Sequence, residues 1–149
     1  MTQEIDFILR IFVAALMGGL IGLEREYRAK EAGFRTHFLV ALGSALFMIV
    51  SAYGFTDSLT SDLQRWDVSR VAAQVVSGLG FIGAGTIIFH KSENVVRGLT
   101  TAAGVWVTAA IGLACGAGMY VLSIASTVMV LAGLEAFNYF LRRLDKHRK

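Results

Sequence analysis

The fold class is decided by the run Phe7–Leu23, FILRIFVAALMGGLIGL, whose 17 residues carry a single charge, on Arg10. At about 1.5 Å of rise per residue, a helix of this length nearly crosses a hydrocarbon core of about 30 Å. No stretch of the chain alternates apolar and polar residues for long enough to form a barrel strand. Because backbone groups in lipid must be hydrogen-bonded within the segment itself, the run predicts a transmembrane helix.

Four more apolar runs follow, separated by charged segments except at the uncharged turn 116–119 between the last two. They are Phe38–Gly54, Val71–Phe89, Leu99–Cys115 and Tyr120–Leu141. We therefore predict an all-α, polytopic membrane bundle of about five transmembrane helices, which forms a single domain over residues 1–149. Four spans are the alternative, because Leu99–Cys115 is rich in Thr and Gly and could be partly re-entrant.

The composition excludes several other classes of protein. Of the 149 residues, 55% are apolar and 17% are charged, against about a quarter charged in a typical soluble domain. This hydrophobicity excludes a disordered chain. The single cysteine, Cys115, excludes a disulfide framework and any multi-cysteine metal cage.

The positions of Lys and Arg predict the orientation in the bilayer. Segment 24–37 carries four basic residues, segment 90–98 two and the tail 142–149 five, whereas the link 55–70 has two against three Asp. The positive-inside rule then places the N-terminus outside and the C-terminus in the cytoplasm. The net charge of +3 is thus a topology signal and not a nucleic-acid patch. The acidic start, with Glu4 and Asp6, is unlike a signal peptide and indicates an uncleaved first span.

Small residues predict close helix packing. The segment Gly78–Gly83 matches the nucleotide-binding pattern G-x-G-x-x-G, but it is apolar on both sides, and the phosphate-binding form needs a preceding strand. In a membrane, small residues let helix backbones approach closely. We expect contacts with another helix, in the same chain or in a second copy of a homodimer, at two sets of residues. They are Gly18 and Gly22 in the first span and Ala73, Ser77, Gly80 and Ala84 in the third.

Polar residues should converge at the cytoplasmic ends of the first, second and fourth spans. They are Glu24, Arg25, Arg35, Thr36, His37, Arg97, Thr100 and Thr101. One carboxylate among cations and hydroxyls is a poor Mg²⁺ site, and we predict no metal ligand set. The set suits an internal ion-pair network or a bound anion such as a lipid phosphate. The alternative is that these residues only close the inner end of the bundle. An outer polar pair, Arg70 and Gln74, is the second candidate.

No feature of the sequence indicates an enzyme. The chain has no Ser/His/Asp grouping, metalloprotease motif or P-loop, and its hydroxyl groups have no partnered base. We therefore expect neither catalytic residues nor a cofactor.

Several blocks of the sequence resemble the MgtC/SapB family of bacterial inner-membrane proteins. The blocks are GLERE at 22–26, GFRTH at 33–37, AQVVSGLGFIGAG at 73–85, VRGLTTAA at 96–103 and ACG at 114–116. The resemblance implies a five-span domain with its N-terminus outside, in the inner membrane, and a role in magnesium-linked physiology and stress survival. It also implies that the protein is similar to regulators that act on other membrane proteins, including the F-type ATP synthase. Longer members add a cytoplasmic ACT-like domain, which we expect this chain, ending at Lys149, to lack.

These observations lead to two functional hypotheses. The first is a non-enzymatic inner-membrane protein of magnesium-linked or ionic homeostasis that binds a membrane partner or a small ligand. The alternative is a transporter or channel for a cation such as Mg²⁺ or for a small solute.

Overall fold

The computed structural model describes residues 2–55, 67–90 and 95–146, and within them the chain is a helical bundle. Its helices are α1 (Thr2–Tyr27), α2 (Phe34–Tyr53), α3 (Ser69–Gly85), α4 (Leu99–Gly116) and α5 (Tyr120–Lys146). A two-stranded antiparallel hairpin, β1 (Ile88–His90) and β2 (Val95–Arg97), joins α3 to α4. The predicted all-α bundle is confirmed. Most of the acidic link 55–70 and the last three residues of the basic tail lie outside the described residues.

Three helices in the described part of the chain, α1, α2 and α4, are long and apolar enough to cross a membrane. The segment for which we considered a re-entrant path is a continuous helix of 18 residues. The third apolar run behaves differently, because α3 ends at Gly85 and the run continues into β1. Thr86 closes the helix by donating its hydroxyl to the Gly83 carbonyl at 2.8 Å. Apolarity extends across this break, so hydropathy alone does not mark it.

The helix directions follow from the contacts between helix ends. Near the end of α1, the turn residue Glu31 contacts Thr101 in the first turn of α4. At the other end of the bundle, Arg10 of α1 donates to the Gly116 carbonyl at the end of α4. Helices α2 and α4 therefore run parallel to each other and antiparallel to α1. We call the two ends the basic end, which contains the α1–α2 turn, and the opposite end. On the predicted orientation, which stays a prediction, the basic end faces the cytoplasm.

The core lies where α1, α2 and α4 meet. It includes Ala14, Ile21, Ala41 and Cys115, each of which is fully buried. Glycines bring the three backbones together: a Cβ at Gly18 would lie 2.5 Å from the His37 carbonyl oxygen, and one at Gly112 would lie 2.4 Å from that of Ala41. The basic end therefore rests on a tightly packed three-helix base.

Candidate functional site

The α1–α2 turn is shaped by a helix C-cap. The Lys30 N–H donates to the Arg25 carbonyl at 3.0 Å and the Ala29 N–H to the Glu26 carbonyl at 2.9 Å, which is the Schellman bonding pattern. Ala29 occupies the left-handed position of this motif, with φ of 52°. Glycine is the usual residue there, because a Cβ is disfavoured at positive φ. The turn reverses the chain within six residues and leads directly into α2.

Glu26 connects this turn to the first residue of α2. The Phe34 backbone N–H donates to the Glu26 carboxylate at 2.7 Å. A carboxylate near the first N–H groups of a helix satisfies one of the donors that have no partner inside the helix. A Cβ at Gly33 would lie 2.7 Å from the same carboxylate oxygen, so the close approach requires a residue without a side chain.

Glu31 connects the turn to α4. The Thr101 hydroxyl donates to the Glu31 carboxylate at 2.6 Å. That hydrogen bond, followed by one from a backbone N–H and by the nearby charges of Lys30 and Arg97, lowers the pKa of Glu31 from its usual 4.5. The N-cap of α4, Gly98, has no side chain to cap the helix, and its first turn holds no acidic residue. Glu31 thus supplies a negative charge near the N-terminus of α4 from a different part of the chain.

Acid should weaken this connection. Since the folded-state pKa of Glu31 is lowered, its contribution to stability is present above its unfolded pKa and is lost as the pH falls through the folded value. We expect Glu31→Gln to cost up to about 1 kcal/mol at pH 7, because Glu31 is exposed, and to flatten the fall in thermal midpoint between about pH 5 and pH 3. Circular dichroism melts in detergent check this result. Thr101→Val should give the same change, and the double variant should add nothing further; additive effects would contradict the contact.

A chain of three ion pairs at the end of α1 reaches α5 through its last member. Glu24 binds Arg25, its neighbour, and lies 3.6 Å from the Arg28 guanidinium. Arg28 also binds Glu135 of α5, and this hydrogen bond raises the pKa of Arg28. The turn is thereby attached to α2, α4 and α5 by Glu26, Glu31 and Arg28 respectively. We call these residues, together with Glu24, Arg25 and Glu135, the basic-end network.

The eight predicted site residues all lie at the basic end, but they form two groups. Arg25, His37 and Thr101 are buried, with 2%, 0% and 1% of their surface exposed, and Glu24 is half-buried. Thr36 is also half-buried, while Arg35, Arg97 and Thr100 are exposed. The buried group forms the inner face of the network, and the exposed group points to the surroundings of the bundle.

Four residues of the network were not among the predicted site residues. They are Glu26, Arg28, Glu31 and Glu135. The i, i+4 spacing of Glu24 and Arg28 is a sequence signal for their pair. The partners of Glu31 and Glu135 are 70 and 107 residues away in the chain, so no local pattern indicates them.

Arg10 organises the opposite end. Its guanidinium lies 2.7 Å from the Asp6 carboxylate, donates to the Gly116 carbonyl at 2.9 Å and lies 3.4 Å from the Tyr53 hydroxyl. Tyr120 at the start of α5 lies 3.4 Å from Asp6. A cation at the end of α4 is favoured there because the last carbonyls carry partial negative charge. We call this cluster the Arg10 clasp.

The predicted outer pair lies apart on α3. Arg70 is exposed, with its guanidinium 3.9 Å from the Asp67 carboxylate, and Gln74 is exposed too. Gln74 lines a groove of about 510 Å³ between α2 and α3, whose other lining residues are mostly apolar. The structure therefore places Gln74 at a lateral groove and Arg70 at the exposed start of α3.

The predicted packing residues also divide. A Cβ at Gly22 would lie 2.6 Å from Phe34 Cα, so Gly22, like Gly18, lies where α1 and α2 touch. Ala73, Ser77, Gly80 and Ala84 instead lie on the exposed face of α3. Nothing in the described residues lies within 4 Å of a Cβ at Gly80, and α3 uses Leu79 and Gly83 against the bundle. Contact between the exposed face and a second copy stays a prediction.

The described residues contain no group of three or more His, Cys, Asp or Glu side chains that could hold a metal ion. The carboxylates of the basic end are instead bonded to arginines, a backbone N–H and a hydroxyl. Each of these carboxylates therefore has a partner within the chain, and Arg35 and Arg97 are exposed at the same end.

A helical bundle with three helices of membrane-spanning length, joined at one end by an ion-pair network, defines an integral membrane protein. A sequence model of the MgtC family matches residues 11–143. The chain belongs to the MgtC family.

Three relatives illustrate the comparison. The chain is 56% identical to the "Putative magnesium transporter YhiD" of Escherichia coli (strain K12), over 97% of this chain and 65% of that protein. It is 40% identical to "Protein SapB" of Bacillus subtilis (strain 168), over 96% of this chain and 61% of that protein. It is 49% identical to "Protein MgtC" of Brucella abortus (strain 2308), over 80% of this chain and 46% of that protein. The chain thus spans about half to two thirds of the length of these curated relatives. No solved structure matches it.

Proposed function

We propose that the protein is a non-enzymatic protein of the bacterial inner membrane that serves magnesium-linked homeostasis by binding an anionic group at its basic end. The relative YhiD, named as a putative magnesium transporter, supports the link to magnesium. The single observation that supports binding at this end is the difference in bonding: the carboxylates of Glu26, Glu31 and Glu135 are each bonded within the chain, whereas the exposed guanidinium of Arg35 makes no ion pair within the described residues.

The chemistry of the exposed residues favours an acidic partner. Arginine recognises carboxylate and phosphate groups through paired N–H donors, and Thr100 is an exposed hydroxyl at the same end of the bundle. A Mg²⁺ ion would need carboxylate ligands, and those of Glu26, Glu31 and Glu135 are already bonded to other groups of the chain. The proposed ligand is therefore an acidic segment of a membrane partner, such as the F-type ATP synthase, or the phosphate of a lipid of the bilayer.

The tight core supports binding over conduction. Helices α1, α2 and α4 approach so closely that a single methyl group at Gly18 or Gly112 would meet backbone oxygen below 3 Å. A hydrated ion is far larger than a methyl group. The two described grooves, of about 510 and 420 Å³, are lined almost entirely by apolar side chains. Both features suit a protein that docks laterally in the membrane, and a homodimer is one such assembly.

Substitution at the exposed arginines tests the proposal. Arg35→Gln and Arg97→Gln should leave folded yield within error of the parent, because both side chains are exposed. Each single variant should reduce growth in low magnesium in a host that depends on the protein. The double variant should lose most of that growth. Arg70→Gln, an exposed arginine at the opposite end, is the matched control and should grow like the parent. Normal folding together with normal growth of the double variant would refute the proposed site.

The transport hypothesis is favoured by one observation, the name of the relative YhiD. Proteoliposomes that contain a Mg²⁺ indicator distinguish the two functions. If the protein only binds its ligand, vesicles that contain it should take up Mg²⁺ no faster than empty vesicles do. A saturable Mg²⁺ flux that Arg35→Gln abolishes would instead establish transport.

A further inference from the structure

The His37 side chain presents an unpartnered acceptor inside the bundle. The ring is fully buried, and its Nδ1 lies 3.0 Å from the Gly33 carbonyl oxygen. A carbonyl oxygen can only accept, so Nδ1 carries the proton; because burial disfavours the charged imidazolium, the ring is neutral and presents a lone pair on Nε2. Nε2 is buried and has no hydrogen-bond partner among the described residues. A buried acceptor without a partner is costly, and a native structure normally supplies one.

Gly104 of α4 leaves room in front of this atom. Gly104 is buried, yet beyond its own turn of α4 the sole atom of the described residues within 4 Å of a Cβ built there is His37 Nε2, at 3.5 Å. Gly18 and Gly112 differ, since a Cβ at either would collide with backbone. The glycine at 104 therefore borders a small space at Nε2, whereas the other two serve close helix contact.

Arg25 brings a buried donor to the same place. It is 2% exposed and lies one helical turn after Gly22, where α1 touches α2 at Phe34, one turn before His37. Its Nε donates to Glu24, and a guanidinium carries four further N–H donors. A buried donor and a buried acceptor thus lie on the two sides of the same α1–α2 contact, and no hydrogen bond joins them directly.

We propose that Arg25 and His37 together bind one O–H group, which accepts a hydrogen bond from the guanidinium and donates one to His37 Nε2. An anion without a proton would satisfy Arg25 but could not donate to Nε2. A cation would be repelled by Arg25. The two sources of such a group are a water molecule and the hydroxyl of a protonated phosphate. The site is separate from the exposed arginines and does not rest on the proposed function.

Nuclear magnetic resonance of the ¹⁵N-labelled full chain in lipid bilayers tests the proposal. His37→Gln assigns the His37 signals. We expect the ¹⁵N shifts to show that Nδ1 is protonated and that Nε2 accepts a hydrogen bond. We also expect magnetisation to be transferred from water to Nε2. With inorganic phosphate added, transfer from ³¹P to the Arg25 nitrogens would identify the phosphate source. An Nε2 signal of a free imine nitrogen, with neither transfer, would overturn the site.

A pair of glycine variants completes the test. Gly104→Ala places a methyl group 3.5 Å from Nε2 and should abolish the transfer while Nδ1 stays protonated. Gly43→Ala is the matched control, because nothing in the described residues lies within 4 Å of a Cβ there, and it should keep the transfer. Gly104→Ser should restore a hydrogen-bonded Nε2 through its own hydroxyl. An unchanged Nε2 signal in Gly104→Ala would contradict the proposal, and the measurement on the parent decides it even if a variant folds poorly.

Discussion

Replacing Gly18 with Leu is expected to destabilise the bundle by about 3 kcal/mol or more, at or above the upper end of the usual cost of overpacking. A Cβ at Gly18 would lie 2.5 Å from both the Ala41 Cβ and the His37 carbonyl oxygen. Backbone oxygen cannot move aside as a flexible side chain can, so α1 and α2 would have to separate. The expected result is a large fall in the thermal midpoint in detergent, with loss of folded yield in membranes.

Gly80→Leu is the matched control for this prediction. Both glycines lie within helices, but Gly80 faces open space. We expect its thermal midpoint to equal that of the parent at protein concentrations where the chain is monomeric. If the exposed face of α3 packs against a second copy, Gly80→Leu should reduce cross-linked dimer without affecting the monomer. Equal destabilisation by the two variants would contradict this account of the core.

Loss of the Arg10 guanidinium is expected to have the second large effect. Arg10→Met keeps much of the apolar stem but removes the charge that binds Asp6 and the Gly116 carbonyl. The side chain is only 15% exposed, so its partners would be left poorly solvated. Removing one member of a buried ion pair costs about 3–5 kcal/mol, and since Asp6 is 40% exposed we expect about 2–3 kcal/mol here.

Chemical denaturation in detergent measures this loss directly. Arg70→Met is the control, because Arg70 lies at the same end of the chain's bundle but is 84% exposed. It should change the free energy of unfolding by less than about 0.5 kcal/mol. An Arg10→Met protein as stable as Arg70→Met would show that the Arg10 clasp does not hold the opposite end together.

The helices were predictable from the sequence because a bilayer demands long apolar segments with internally bonded backbone. The hairpin was not. Its return into α4 depends on Gly98, which has φ of 89° and whose Cβ would lie 1.9 Å from the Thr86 carbonyl oxygen. Such a contact joins two segments that are separate in the sequence, and apolar residues such as Ile87 are compatible with either conformation.

The residue types of the site were predictable from the sequence, but which side chains bond to each other was not. Polar groups near helix ends must gather on one side of the membrane once the topology is set, and this places Arg25, His37 and Thr101 together. Which carboxylate meets which partner depends on the rotation of each helix. Lipid is as apolar as Leu, so hydropathy does not say which face of α3 turns inward. The small-residue pattern marks Gly80, whereas the bundle uses Leu79.

The buried position of Cys115 in the core has a practical consequence. It is the only cysteine in the chain, and in the folded protein it has no exposed surface. A maleimide can therefore modify it only when the three-helix core opens. The rate of modification of the untagged, wild-type chain then reports how often this core unfolds in a native membrane. Cys115 is thus an intrinsic probe of core opening, and no engineered cysteine is needed for the measurement.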